Sequence, residues 1–84
     1  MTDPIARTSK QVGAAIRRRR RALGMNQKQV GKKTHLRQAT ISGLEAGEDG
    51  TQLRTLFGVL TALNMELVIR PRTKSSTDKM EEMF

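Results

Sequence analysis

Short helical runs closed by glycine dominate this sequence and constrain its fold more than any other feature. One run has Val12, Ile16 and Leu23 at helical spacing and ends at Gly24, and a later run ends at Gly47. Glycine favours the left-handed backbone conformation in which many helices end. The chain has 84 residues, so the pattern predicts one small domain built from short helices.

Capping signals mark where the first two helices begin. Thr8 is followed by Gln11, and Asn26 is followed by Gln29, which is the spacing of a capping box. Residues 34–36 are typical of a tight turn, and residues 47–50 are typical of a loop. The predicted helices run from Thr8 to Gly24, from Gln27 to about Lys33, and from about Arg37 to Ala46.

A fourth helix, which Thr51 can cap, has the strongest amphipathic pattern in the chain. Its apolar face contains Leu53, Leu56, Phe57, Leu60 and Leu63. We expect this face to be core, and nothing in the helix indicates a functional site.

The apolar spacing changes from helical to alternating in residues 65–70. Met65, Leu67 and Ile69 alternate with their neighbours, and Pro71 blocks any continuation. A single strand has no hydrogen-bonding partner in an otherwise helical chain, so we predict that it pairs with the same strand of a second copy. The expected fold is mainly α, with four or five helices and one C-terminal β-strand that pairs across a homodimer.

The segments outside these elements lack periodic patterns. Residues 1–7 contain Pro4 and predict a disordered arm. Residues 71–84 are largely polar and predict a flexible tail. The expected domain therefore spans residues 8–70.

The charge balance indicates an anionic partner. Sixteen Lys and Arg residues against eight Asp and Glu residues give a formal net charge of +8, and a positive field of this size attracts polyanions. Nucleic acid is the first candidate. A membrane-surface module is the alternative, but the arginine-rich first helix has few large apolar groups with which to enter a bilayer.

Composition argues against catalysis and metal binding. The chain has no cysteine and one histidine, so it lacks the usual zinc ligands and a cysteine nucleophile. No serine has a partner spacing that suggests a triad, and no glycine-rich phosphate loop is present. We expect no enzyme activity, no cofactor and no metal. No stretch approaches the ~18 apolar residues of a membrane span, so we expect a cytoplasmic protein.

Two helices joined by a tight turn in so basic a chain fit the helix-turn-helix, whose second helix lies in the DNA major groove. The segments GMNQ, VGKK, QATIS and LEAG, which begin at positions 24, 30, 38 and 44, resemble the XRE family, the λ-repressor and Cro type. The resemblance covers about residues 12–64. It implies a λ-repressor-like domain that binds double-stranded operator DNA.

The resemblance also implies which residues contact DNA. Gln38 can form two hydrogen bonds with adenine, and Arg37 can form them with guanine or with a phosphate. The expected base-reading residues lie on the exposed face of the third helix and are Arg37, Gln38, Ala39, Ser42 and Gly43. The expected phosphate contacts are Gln27, Thr40, Asn26, Lys28 and Arg17. The alternative is an ordinary polar surface on which Asn26 and Gln27 only cap a helix.

Five consecutive arginines, at positions 17–21, cannot all face one ligand because a helix turns about 100° per residue. The family resemblance pairs Arg20 with Glu45 and so links the first helix to the third. Arg19 lies on the apolar stripe, where we expect its stem to follow the edge of the core. His35 stands where the family usually has glycine, in a left-handed turn.

The C-terminal segment narrows the resemblance. An XRE domain followed by one strand and a tail is similar to HipB-type antitoxins, which are dimers that partner HipA-type serine/threonine kinase toxins. This similarity implies a repressor and antitoxin that neutralises a HipA-like kinase, with Met83 and Phe84 docking on the toxin. A stand-alone XRE regulator without a toxin is the alternative.

Overall fold

A computed structural model of the protein describes residues 4–72. Over this range the chain forms four α-helices and no β-strand. The helices are α1 (Ser9–Ala22), α2 (Gln27–Thr34), α3 (Gln38–Ala46) and α4 (Leu53–Ala62). Parts of the predicted arm and tail, residues 1–3 and 73–84, lie outside the described residues.

Side-chain caps begin α1 and α2. The Thr8 hydroxyl accepts a hydrogen bond from the Gln11 N–H at 3.1 Å, but the side-chain amide oxygen of Gln11 accepts from the backbone N–H of Arg7 rather than that of Thr8. The capping box at Asn26 and Gln29 is complete, with both hydrogen bonds at 2.8 Å. These caps satisfy backbone donors that a helix leaves unpaired at its start.

The helices α3 and α4 begin without a side-chain cap. Their N-cap residues are Arg37 and Gln52, and neither side chain bonds to the first turn. The prediction that Thr51 caps the fourth helix is therefore wrong. The helix begins at Leu53, which places Thr51 one residue too early for a cap.

All four helices end in the same backbone motif. A residue with a positive φ follows each helix by one or two positions, and these residues are Gly24, His35, Gly47 and Asn64. The next N–H then donates to a carbonyl five residues earlier, in the pairs Met25–Arg20, Leu36–Gly31, Glu48–Gly43 and Met65–Leu60. This is the Schellman motif, and it confirms the left-handed turn predicted at His35.

The core is entirely aliphatic. Helix α3 packs against α1 and α2, and α2 packs against α4. The buried side chains are Ile16, Val30, Ile41, Leu44, Val59, Leu60 and Leu63. Burying each of them contributes about 1.5–3 kcal/mol, so this small core must carry most of the stability of one copy.

Two glycines allow α1 to approach the C-terminal end of α3 closely. A Cβ atom on Gly13 would overlap the Leu44 carbonyl oxygen. A Cβ on Gly47 would lie 2.7 Å from the Lys10 Cα, and Gly47 has a φ of +90°. The α1–α3 contact therefore depends on the absence of side chains at both positions.

The apolar face of α4 is only partly core, which corrects the expectation from its sequence. Val59 and Leu60 are buried, whereas Leu53 and Phe57 are 65% and 47% exposed. Periodicity identifies an apolar face but not what covers it, and the other described helices cover only the C-terminal half of this one.

The predicted strand is not formed within one copy. Residues 65–72 have no regular secondary structure. Met65 packs against the core, but Leu67 and Val68 are exposed and Ile69 is 90% exposed. A strand needs a second strand for its hydrogen bonds, and no other described segment supplies one. Within residues 4–72, no helix has the length and apolar character required to cross a bilayer.

Candidate DNA interface

Helices α2 and α3 pack against each other and are joined by residues 35–37. Val30 and Ile41 are fully buried, and Leu36 packs against the core from the turn between the helices. The left-handed backbone at His35 reverses the chain so that α3 crosses α2. This is the geometry of a helix-turn-helix, in which α3 is the helix that can enter a groove of DNA.

A buried polar network fixes α3 against α1 and α2. The Arg20 guanidinium donates two hydrogen bonds to the Glu45 carboxylate, at 2.6 and 2.9 Å. A third nitrogen of the guanidinium, Nη1, donates to the Met25 carbonyl oxygen at 2.8 Å. The side-chain amide of Gln27 donates to the Glu45 carboxylate at 3.1 Å. The side chains of Arg20 and Glu45 are only 9% and 3% exposed. The network joins three helices through one carboxylate.

Both members of this ion pair are charged at neutral pH. Burial raises the pKa of Glu45, but hydrogen bonds from Arg20 and Gln27 and the charges of Arg20 and Arg17 outweigh burial and leave the pKa below its ordinary value. The hydrogen bond to Glu45 raises the pKa of Arg20 despite some burial. Since each charge is satisfied by the other, the pair can remain ionised inside the protein.

The outer face of α3 is exposed. Arg37, Gln38, Ala39, Thr40 and Ser42 are all exposed. In the described part of the chain, none of their side chains makes a hydrogen bond or an ion pair. Gln38, Ala39 and Ser42 share the outward side of the first two turns. Their donors and acceptors are therefore available to an external ligand.

Gly43 differs from the expectation that it lies on this exposed face. The glycine is buried, and its cover is the side chain of Glu48. A Cβ at Gly43 would lie 2.5 Å from the Glu48 Oε2. No sequence pattern predicts this contact, because Glu48 belongs to the loop after α3.

The predicted phosphate contacts fall into two groups. Lys28, Thr40 and Arg17 are exposed, and Arg17 lies close enough to Glu45 to lower the pKa of that carboxyl. Asn26 and Gln27, at the N-terminus of α2, are already engaged in the capping box and in the bond to Glu45. The backbone N–H groups of a helix N-terminus nevertheless attract an anion.

Arg19 has a role at the core edge. It is half-buried, and its Nε donates to the Leu63 carbonyl at 3.0 Å, at the C-terminal end of α4. A cation at this end of a helix is favourable because the last carbonyl groups carry partial negative charge. Residues 4–72 contain no group of three His, Cys, Asp or Glu side chains that could hold a metal ion.

A wide groove of about 1090 Å³ lies on the far side of α1 from Arg17. Residues 4–7, one side of α1, parts of α4 and residues 64–72 line it. The predicted strand residues Met65, Leu67 and Ile69 all belong to its wall. The groove is therefore lined by many apolar side chains and also by arginines such as Arg18 and Arg70.

A comparison with known families matches residues 16–69, well over half of the chain, to the helix-turn-helix family. The chain belongs to the XRE-type helix-turn-helix family. Among curated relatives, the antitoxin HipB of Escherichia coli strain K12 is 31% identical over 72 residues, which cover 86% of this chain and 82% of that protein. Antitoxin HipB of Escherichia coli O6:H1, strain CFT073, is likewise 31% identical over 72 residues, which cover 86% of this chain and 77% of that protein.

Solved structures of HipB are similar to this family member. A HipB–O4 20mer complex superposes with a TM-score of 0.77 at 29% identity and covers 82% of this chain and 97% of that one. A HipA–HipB–O2–O3 complex gives a TM-score of 0.76 at 29% identity, with the same coverage. These likenesses extend over nearly the whole of each HipB chain.

Proposed function

We propose that this chain is a sequence-specific repressor and antitoxin. As a dimer it binds a palindromic operator, and it neutralises a HipA-type serine/threonine kinase toxin. The outer face of α3 is the observation that supports DNA binding. Its polar side chains are exposed and make no hydrogen bond within residues 4–72, and the buried Arg20–Glu45 network holds the helix in place.

Base reading is assigned to Arg37, Gln38, Ala39 and Ser42. The Gln38 amide offers both a donor and an acceptor, which match the N7 and N6 atoms of adenine, and Arg37 suits guanine. Ala39 offers a methyl group to thymine. The exposure of all four residues on α3 supports this assignment. Gly43 lies at the same face, but Glu48 covers it.

Phosphate contacts are assigned to the N-terminus of α2 and to nearby exposed groups. Lys28, Arg17 and Thr40 are exposed, and Asn26 and Gln27 present backbone N–H groups at the helix start. Such contacts orient the protein on DNA and make affinity fall steeply with salt. The net charge of +8 supports this binding mode.

Dimerisation is assigned to residues 65–70. The exposed apolar side chains of this segment form part of a groove, and the same segment of a second copy would fill it as an antiparallel partner strand. A twofold dimer places two recognition helices about 34 Å apart, in successive major grooves of a palindrome.

The kinase half of the proposal rests on likeness. HipB relatives are antitoxins, and one similar structure contains HipA, HipB and DNA. The residues proposed to dock on the toxin, Met83 and Phe84, lie outside the described residues. The protein itself would act without catalysis or cofactor.

Selection from a random duplex library, followed by fluorescence anisotropy on the selected duplex, tests DNA binding. The full chain should bind the selected duplex far more tightly than a scrambled one near physiological salt. Gln38→Ala should weaken specific binding by about 5- to 150-fold, the worth of one bidentate base contact. Gln52→Ala is the matched control, because Gln52 is also exposed and makes no side-chain hydrogen bond. Equal binding to both duplexes would contradict the proposal.

Co-expression with the HipA-type kinase of the same genome tests the antitoxin role. The full chain should co-purify with the kinase and suppress its toxicity, and deletion of residues 73–84 should weaken both effects without changing DNA affinity. Failure to bind any such kinase would leave the alternative, a stand-alone XRE regulator, which the helix-turn-helix domain supports equally well.

A further inference from the structure

The outward side of α3 carries a carboxylate that comes from outside the helix. Ala39 and Gly43 are four residues apart and so lie on one ridge of α3. Gly43 contributes no side chain to this ridge. The Glu48 carboxyl group fills the vacant place, with Oε2, Cδ and Oε1 at 2.5, 2.6 and 2.8 Å from where a Cβ of residue 43 would be.

The backbone fixes this placement. Gly47 has a φ of +90° and turns the chain back over α3. The Glu48 N–H then donates to the Gly43 carbonyl at 3.0 Å, as the second bond of the Schellman motif. Glu48 is thus attached to the end of the helix, and its carboxylate moves with the recognition helix.

No cation in residues 4–72 neutralises the Glu48 carboxylate. Among the described residues it makes no ion pair, and the ion pair that does form is the buried one between Arg20 and Glu45. An exposed negative charge beside DNA is repelled by the phosphates unless a hydrogen-bond donor on a base binds it. The donors in the major groove are the amino groups of cytosine and adenine.

The chemistry of the base edges favours cytosine. Guanine presents two acceptors and thymine presents an acceptor and a methyl group, so both reject a carboxylate. Adenine has an acceptor, N7, beside its amino group. We propose that Glu48 is a base-reading residue, and that it selects cytosine at one position of each operator half-site. This inference rests on the proposed DNA-binding function.

The test is selection from a random duplex library with the full chain, followed by measurement of base preferences at each position. The wild type should prefer cytosine at one position per half-site by about fivefold or more. Glu48→Ala should remove that preference and leave the other positions unchanged. Glu48→Gln should move the preference toward adenine, because an amide can both donate and accept. A merely structural role for Glu48 would not change base identity.

Asp49→Asn is the matched control, since Asp49 is the adjacent exposed carboxylate and should leave every preference intact. Equal melting temperatures of the wild type and the Glu48 variants would show that the fold is retained. A wild-type operator whose preferences survive Glu48→Ala at all positions would overturn the inference while leaving the proposed function standing. A wild type that selects no sequence would overturn both.

Discussion

Removal of one partner from the Arg20–Glu45 pair should destabilise the protein severely. Arg20→Met keeps an apolar stem but leaves the Glu45 carboxylate, which is 3% exposed, with one remaining hydrogen bond from Gln27. Leaving a buried charge without its partner costs about 3–5 kcal/mol. A chain of 84 residues has a total stability of about 4–13 kcal/mol at 0.05–0.15 kcal/mol per residue. The melting temperature should therefore fall by at least about 12 °C.

A double-mutant cycle separates the interaction energy of the Arg20–Glu45 ion pair from the cost of burying each charge alone. Glu45→Met should be about as damaging as Arg20→Met, because it strands the buried guanidinium instead. The double variant should be much less damaging than the sum of the two, since two apolar groups need no partner. Circular dichroism during urea and thermal unfolding, at one protein concentration, gives the three free energies. Single variants within 1 kcal/mol of wild type, or strictly additive effects, would refute the reasoning.

The same pair predicts how stability depends on pH. The pKa of Glu45 is lowered in the folded state, so the unfolded state binds more protons as the pH falls. The stabilisation is fully present above the unfolded pKa of about 4.3 and is lost as the pH falls through the folded value. Arg20→Met should abolish this contribution, which urea unfolding between pH 7 and pH 3 would reveal. High salt should have little effect, because the pair is buried.

Three further substitutions test the helix ends and the dimer. His35→Gly should raise stability by up to about 1 kcal/mol in urea unfolding, because His35 has a φ of +60° that glycine adopts freely; a loss would contradict this. Gly47→Ala should cost about 2 kcal/mol or more through its positive φ and its contact with Lys10, whereas Gly50→Ala, with no neighbour within 4 Å, should be nearly neutral. Ile69→Lys should shift the protein to monomer in analytical ultracentrifugation, and an unchanged dimer would exclude residues 65–70 from the interface.

Local signals predicted the helix boundaries well. The cap at Asn26 and the left-handed turns at Gly24, His35 and Gly47 depend on a few neighbouring residues, which the sequence displays directly. The predicted cap at Thr51 was wrong, because a hydroxyl residue near a helix start is a frequent cap but α4 begins at Leu53 and has Gln52 in the cap position.

Tertiary arrangements were less accessible from the sequence. Periodicity predicted an apolar face for α4, but exposure of Leu53 and Phe57 depends on what the rest of the fold covers. The family resemblance named Gly43 as a base-reading position. It could not show that Glu48 folds back over that glycine, because the contact requires the turn at Gly47 and the space that a missing Cβ leaves.

Under the proposed function, stability and DNA recognition depend on different faces of α3. A helix of nine residues is too short to be stable by itself, so its shape depends on the contact with α1 at Gly13 and on the bonds of Glu45 to Arg20 and Gln27. Within residues 4–72 the outward side chains, that of Gln38 among them, make no hydrogen bond or ion pair. Changes on the outer face should therefore alter the operator without altering the melting temperature. Changes in the Arg20–Glu45 network should lower both the stability of the protein and its affinity for DNA, because α3 would no longer hold its side chains in a fixed orientation.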